Sequence, residues 1–210
     1  SPAASAPEKS IPAYATALQT QIPEVMKQNA IPGLVVHILS PERGDWSATF
    51  GTGEIGEAVP MTLDDVFRIG SNTKTMTSTV ILQLVQEGVL ALDDPISKYI
   101  PGVPAAWSPI TLRHLLTHRS GIPDFTALPA YPREWKYSGP SPSMIFNWVR
   151  DQPLEFSPGS KYQYSNTGYV LLGWIIEQVS GQAYREFVKQ NIFDPLGLAD
   201  SGYDSNTAII

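Results

Sequence analysis

The chain has 210 residues, 42% of them hydrophobic and 16% charged, which is long enough to bury a sizeable core and too apolar for a disordered segment. A net charge of -6 without any basic run argues against nucleic acid as a partner, and no apolar stretch reaches the roughly 18 residues of a membrane-spanning helix. Cysteine is absent, so neither disulfides nor thiolate metal ligands are available.

The opening Ser1-Pro2-Ala3-Ala4-Ser5-Ala6-Pro7 is a run of small residues without periodicity, as found after a removed signal peptide, so a periplasmic or secreted protein is expected. Ile11, Ala15, Leu18, Ile22, Val25 and Met26 then recur at helical spacing behind Ser10 as cap, predicting an amphipathic helix that Pro23 should kink. Ile31-Pro32-Gly33 breaks the pattern. Leu34 to Leu39 reads as a strand buried on both faces, and Trp46 to Phe50 as its return after turn residues, making a hairpin. His37 lies inside the first strand without ligand-like neighbours and is read as structural.

After a loop through Gly51, Gly53 and Gly56, the strand-like run Phe67-Arg68-Ile69 ends at Gly70. Ser71 and Lys74 open a helix whose apolar face holds Met76, Val80, Leu84 and Val85 until Glu87-Gly88 stops it. This helix is expected to be largely buried, with Thr73, Thr75, Thr77 and Thr79 serving close packing. Positions i and i+3 share a helix face, so the Ser71 hydroxyl lies beside the Lys74 amine. A helix start carries unpaired N–H groups and the positive end of the dipole, which favours developing negative charge and disfavours a cation. A nucleophilic serine needs an adjacent base, and a lysine amine without its extra proton is one. The alternative is an N-cap serine followed by a solvated lysine, since S-x-x-K arises by chance on the order of once in two such chains. A first-turn lysine is unfavourable by roughly 0.3–1 kcal/mol, which weighs toward chemistry.

Beyond Leu92 the chain turns to short helices divided by prolines. Asp93-Asp94-Pro95 reads as a cap with a first-position proline, and Thr111 as the cap of Leu112 to Thr117. His114 and His118 stand at i and i+4, the spacing of zinc-binding histidines, but the glutamate of H-E-x-x-H is missing. His118 and Arg119 are read instead as closing the helix before Gly121, and no metal is expected. The segment Ile122 to Pro142 carries Phe125, Tyr131, Trp135 and Tyr137, and either roofs a pocket or is an ordinary connection held by its aromatics. Ser141-Pro142 opens another helix that turns Ile145, Trp148 and Val149 inward.

Ser157-Pro158-Gly159-Ser160 is a turn followed by an extended Lys161 to Tyr164, and Val170, Leu171, Trp174, Ile175 and Val179 mark the next helix. Tyr164-Ser165-Asn166 therefore enters a helix from a loop, where a phenol and a carboxamide two residues apart both reach one cleft. Tyr164 takes or gives a proton if a cation lowers its pKa, and Asn166 bonds a substrate amide through donor and acceptor. A half-buried aromatic and a plain N-cap are the alternatives for the two. A last helix holds Phe187, Val188 and Ile192.

Ser71-x-x-Lys74, Leu92-Asp93-Asp94-Pro95-Ile96, Leu115-Leu116-Thr117-His118-Arg119-Ser120-Gly121, Tyr164-Ser165-Asn166 and Phe193-Asp194-Pro195-Leu196-Gly197-Leu198 occur in an order that resembles the penicillin-recognising serine hydrolases. Within them the chain is most similar to the branch of class C β-lactamases, D-alanyl-D-alanine carboxypeptidases and related esterases. The resemblance covers nearly the whole chain. It implies an α/β (α+β) fold of the β-lactamase/transpeptidase type, with an antiparallel sheet flanked by helices and a helical subdomain. It divides the chain into residues 1–70 (first helix and strands), 71–192 (nucleophile helix and helical subdomain) and 193–210 (return toward the sheet). It also implies Ser71 as the acylated nucleophile, Lys74 and Tyr164 as base and proton shuttle, and Asn166 as substrate ligand. Which of Lys74 and Tyr164 takes the serine proton stays open. The Ser71 backbone N–H, at a helix start, is an expected oxyanion donor.

The family's third motif, Lys or His followed by Ser or Thr and then Gly, does not occur after Tyr164. The expectation is an N-terminal part of a longer hydrolase whose sheet is incomplete and whose C-terminal remainder completes fold and site. Loss of one oxyanion donor weakens transition-state binding by roughly 2.7–4 kcal/mol, so the chain alone is expected to be nearly inactive. The expected substrates are D-Ala-D-Ala peptides, β-lactams or esters, with no cofactor; a non-catalytic penicillin-binding sensor is the alternative outside enzymes.

Overall fold

A computed structural model describes residues 11–129, 131 and 140–203; the small-residue opening, Ser10, Trp135, Tyr137 and residues 204–210 lie outside these. The chain divides into two compact units, residues 1–67 and 68–210.

In the first unit, α1 (Ala13–Gln28) runs as one helix through Pro23, with Pro12 rather than a serine at its N-cap and Ala15 and Met26 buried. Strands β1 (Gly33–Ile38) and β2 (Trp46–Gly51) pair antiparallel from Gly33 opposite Gly51 to Ile38 opposite Trp46. The hairpin is as expected, but β1 is half-buried along its length and its His37 is exposed, hydrogen-bonded to Ser47 across the ladder. A strand becomes buried on both faces only when layers cover both, and two strands are the whole sheet among the described residues. Gly51 has φ +75°, and a Cβ there would lie 2.1 Å from the Pro32 carbonyl oxygen, so only glycine fits this end of the hairpin. The strand-like run Phe67-Arg68-Ile69 is not a strand: Phe67 and Ile69 are 55% and 46% exposed and the backbone has no ladder partner. Apolar composition alone had no second strand to pair with.

The second unit is helical. Its core gathers the buried sides of α2 (Thr73–Gln86), α3 (Leu112–Leu116), α4 (Pro142–Val149), α5 (Asn166–Ser180) and α6 (Tyr184–Val188). The central element is α5, which packs on α2, α3, α4 and α6. It buries Leu171, Leu172, Ile175 and Ile176 completely, a wider stripe than one helical face, as a helix with neighbours on several sides requires. Ser165 caps its N-terminus, accepting from Gly168 N at 3.4 Å, and Gly181 ends it in the left-handed conformation. α2 buries only a stripe, Thr77, Val80, Ile81 and Leu84, while Leu82, Thr75 and Thr79 face solvent; it is less buried than its apolar content implies. Of its threonines, Thr77 packs inward and meets the Tyr184 hydroxyl at 2.7 Å.

Thr111 caps α3 in a capping box closed by His114 Nδ1, which accepts from Thr111 N at 3.2 Å. Ser141 caps α4, with Pro142 in the first turn. Pro95 stands at the N-cap of a short 3-10 turn (Ile96–Lys98), one position earlier than expected, because Asp94 turns its carboxylate back to Ala91 N, Lys98 and Tyr99. After α6 the helix widens into a π turn over Lys189–Phe193 that buries Ile192 and Phe193. No helix among the described residues is long and apolar enough to cross a membrane.

Candidate active site

All four residues singled out by the two motifs lie in the second unit, and the fold brings them together. Gly70–Asn72 forms a 3-10 turn leading directly into α2, and Ser71 sits in that turn rather than capping the helix. Lys74, one turn on, places Nζ 3.2 Å from Ser71 Oγ. From just ahead of α5, 93 residues away, Tyr164 brings its hydroxyl to 2.7 Å from the same Ser71 oxygen. Asn166 accepts from Lys74 Nζ at 2.8 Å through Oδ1. Asn166 is the first residue of α5, not its cap, because Ser165 fills that position. This phase leaves the Tyr164 and Asn166 side chains free for Ser71 and Lys74 while the residue between them holds the helix.

Lys74 Nζ also lies 4.7 Å from the ring centre of Tyr164 and 5.5 Å from that of Tyr169, so two aromatic faces border the amine. Hydrogen bonding by Lys74, and secondly by Ser71, holds the Tyr164 phenol below its usual pKa. An anion at this oxygen is thereby less costly than on a free phenol, beside the Ser71 hydroxyl.

Two residues that the motifs did not assign to the site support it. His118 has φ +57° and stacks on Tyr164 with ring centres 4.6 Å apart and planes 29° off parallel, and lies 5.1 Å from Tyr169. Its Nδ1 accepts from Ser165 N at 3.1 Å, and its carbonyl accepts from Gln163 N at 2.9 Å. Burial, then the charge of Lys74, lowers the His118 pKa. The histidine therefore does more than close α3: it shelves the segment that carries Tyr164. That segment, read as extended, is tied to His118 by these bonds and forms no strand. Asp124 accepts from Asn166 N at 2.7 Å and from Asn166 Nδ2 at 3.0 Å, both at Oδ2. Its only advance signal was a carboxylate shortly after Ser120-Gly121, since the contact spans 42 positions.

His114 and His118 use their Nδ1 atoms on different backbone amides, Thr111 and Ser165. Among the described residues no group of three or more His, Cys, Asp or Glu is arranged to hold a metal ion. Of the aromatics between Ile122 and Pro142, Phe125 is buried edge-on to Tyr131 with ring centres 5.4 Å apart, an anchored connection at that point.

The arrangement sets a phenol and an amine against one serine hydroxyl, with a carboxamide on the amine, a set of groups with the chemistry that acyl transfer through a serine ester requires. The Beta-lactamase family model matches residues 18–209. A penicillin-binding protein of Bacillus subtilis (strain 168) is 34% identical over 169 residues, which is 78% of this chain and 37% of the relative. The D-alanyl-D-alanine-carboxypeptidase/endopeptidase AmpH of Escherichia coli (strain K12) is 35% identical over 159 residues, 74% of this chain and 41% of that protein. The chain thus spans about two fifths of the length of these curated relatives. Among solved structures, a D-stereospecific amidohydrolase from Streptomyces sp. superposes with a TM-score of 0.76 at 35% identity, covering 87% of this chain and 54% of the other.

Proposed function

The chain belongs to the beta-lactamase family, and from that premise we propose that it carries the nucleophile and proton-transfer groups of an acyl-serine hydrolase acting on D-configured amides, foremost D-alanyl peptides and β-lactams. Ser71 Oγ attacks the carbonyl carbon while its proton passes to the Tyr164 oxygen. The Ser71 N–H, ahead of the first hydrogen bond of its turn, donates to the oxyanion. As the tetrahedral adduct collapses, the scissile C–N bond breaks and Tyr164 returns the proton to the leaving nitrogen. Water then attacks the Ser71 ester by the reverse proton path, releasing the acid and the free serine. Lys74 keeps the phenolate favourable, and Asn166 orients the substrate amide with its carboxamide.

The observation that carries this reading is the meeting of Tyr164 Oη and Lys74 Nζ on one serine oxygen, at 2.7 Å and 3.2 Å. The shorter contact and the lowered phenol favour Tyr164 over Lys74 as the group that takes the proton. The preference for D-configured substrates rests on the relatives, whose names include a D-alanyl-D-alanine-carboxypeptidase and a D-stereospecific amidohydrolase. The second oxyanion donor and the remaining wall of the cleft come, in this proposal, from a C-terminal remainder of the same parent, in keeping with the share of the relatives that the chain spans.

The test is labelling with a fluorescent penicillin, performed on this chain alone and on the complete parent, with D-Ala-D-Ala peptide as competitor. Label mapped to Ser71 in the complete parent, lost in Ser71→Ala and much weaker on the isolated chain, is expected. A complete parent that penicillins, esters and fluorophosphonates all fail to label is a binding protein instead.

A further inference from the structure

Resting on that reading, we propose that Asp124 is a positioning residue of the site, which fixes the Asn166 carboxamide so that its oxygen faces Lys74. The two ends of a carboxamide have nearly the same shape, and the partner at one end decides which atom is presented at the other. Lys74 Nζ donates to Asn166 Oδ1 at 2.8 Å, and the far end of the amide, Nδ2, meets Asp124 Oδ2 at 3.0 Å. Rotated by a half-turn, the amide would set an NH2 against the lysine and its oxygen against a carboxylate.

Asp124 is suited to impose the choice because the four groups that bond it among the described residues are all donors. Oδ2 takes Asn166 N and Nδ2, while Oδ1 takes Thr126 N at 2.8 Å and Thr126 Oγ1 at 2.7 Å. A carboxylate serves four donors; an asparagine would turn its own NH2 toward two of them. The backbone on either side is pinned by Thr167, fully buried on α5, whose hydroxyl donates to Pro123 O at 2.7 Å and accepts from Phe125 N at 2.9 Å. Asp124 is thus held against the first turn of α5 from both neighbours. Among the described residues Lys74 has no carboxylate ion-paired with it, so Asp124 acts on the amine through the amide.

The test is a double-mutant cycle on the acylation rate of the complete parent, read by stopped-flow reaction with a fluorescent penicillin. Asp124→Ser keeps a side-chain oxygen to cap the Thr126 N–H while withdrawing the acceptor from both Asn166 N and Nδ2, and Asn166→Ala keeps the backbone N–H, so the cycle reads the carboxamide contact apart from the backbone one. A folded Asp124→Ser protein is expected to acylate about 100-fold more slowly, in line with the effect of misplacing a catalytic group. The double variant Asp124→Ser with Asn166→Ala should acylate at the rate of Asn166→Ala alone. Losses that multiply in the double variant, or an Asp124→Ser rate within twofold of wild type, overturn the proposal. Asp124→Asn is run in parallel, and a thermal melt of each variant reports the folded fraction used to normalise rates. Wild type that takes no label at all overturns the hydrolase reading and this proposal together, whereas labelled wild type with an unaffected Asp124→Ser overturns this one only.

Discussion

Replacing Tyr164 by phenylalanine removes one oxygen and leaves the ring. The ring keeps its stack on His118 at 4.6 Å and its place beside Lys74 at 4.7 Å, so the segment before α5 should stay as it is. What disappears is the 2.7 Å contact with Ser71 Oγ. Tyr164 is 43% exposed, and water replaces much of that bond, so the expected loss of stability is about 1 kcal/mol or less. A positioned proton acceptor contributes about 10²–10⁴-fold to a rate, equivalent to roughly 2.7–5.4 kcal/mol of barrier. Tyr164→Phe should therefore acylate at least about 100-fold more slowly while melting close to wild type. The assay is single-turnover reaction of the complete parent with a chromogenic cephalosporin across a range of pH. Because Lys74 and Ser71 hold the phenol below its usual value of about 10, the rate should climb with pH on a limb lying below that value, and the limb should be absent in Tyr164→Phe. A variant within threefold of wild type that keeps the limb would refute Tyr164 as the proton acceptor and return the role to Lys74.

Two further expectations concern the supports of the site. His118 is held below its usual pKa, so between about 6.5 and its folded value the unfolded chain binds more protons than the folded one. Stability should accordingly be full above about pH 6.5 and decline as pH falls toward the folded pKa; His118→Asn, which tolerates the left-handed backbone, should flatten that part of a denaturant series, and an unchanged slope would place its origin elsewhere. Gly121 has φ +78°, and a Cβ there would fall 2.1 Å from the Phe156 carbonyl oxygen, so Gly121→Ala should destabilise by about 3 kcal/mol or more in urea unfolding. A loss below about 1 kcal/mol would show that the loop yields more easily than this packing implies.

The candidate site was legible in the sequence where its spacing is local. Ser71 and Lys74 are three residues apart on one helix start, and Tyr164 and Asn166 flank one cap, so spacing and residue type sufficed to propose both pairs. Their convergence on one oxygen depends on α2 and α5 packing together, which the resemblance supplied and periodicity did not. Asp124 and His118 were missed as members of the site for the same reason: their partners are 42 and 47 positions away. The hairpin was read correctly, but one strand-like run and the burial of β1 departed from the reading in a different way. Phe67 to Ile69 have the composition of a strand, and β1 the look of a fully covered one, but pairing and burial are settled by neighbours rather than by a segment's own residues.

The cap formed by Ser165 also bears on how this protein can change by gaining or losing residues. Tyr164 and Asn166 flank an extended Ser165 (φ -142°, ψ 126°), and side chains along extended backbone alternate sides, so one residue added or removed between them would swing the carboxamide away from Lys74 or carry the phenol off Ser71. Any such event would also displace the oxygen that receives Gly168 N at the start of the most deeply packed helix. Length variation among descendants of this chain should therefore be excluded from these three positions even where the identities around them drift, and a family history read through its gaps alone would point to the site.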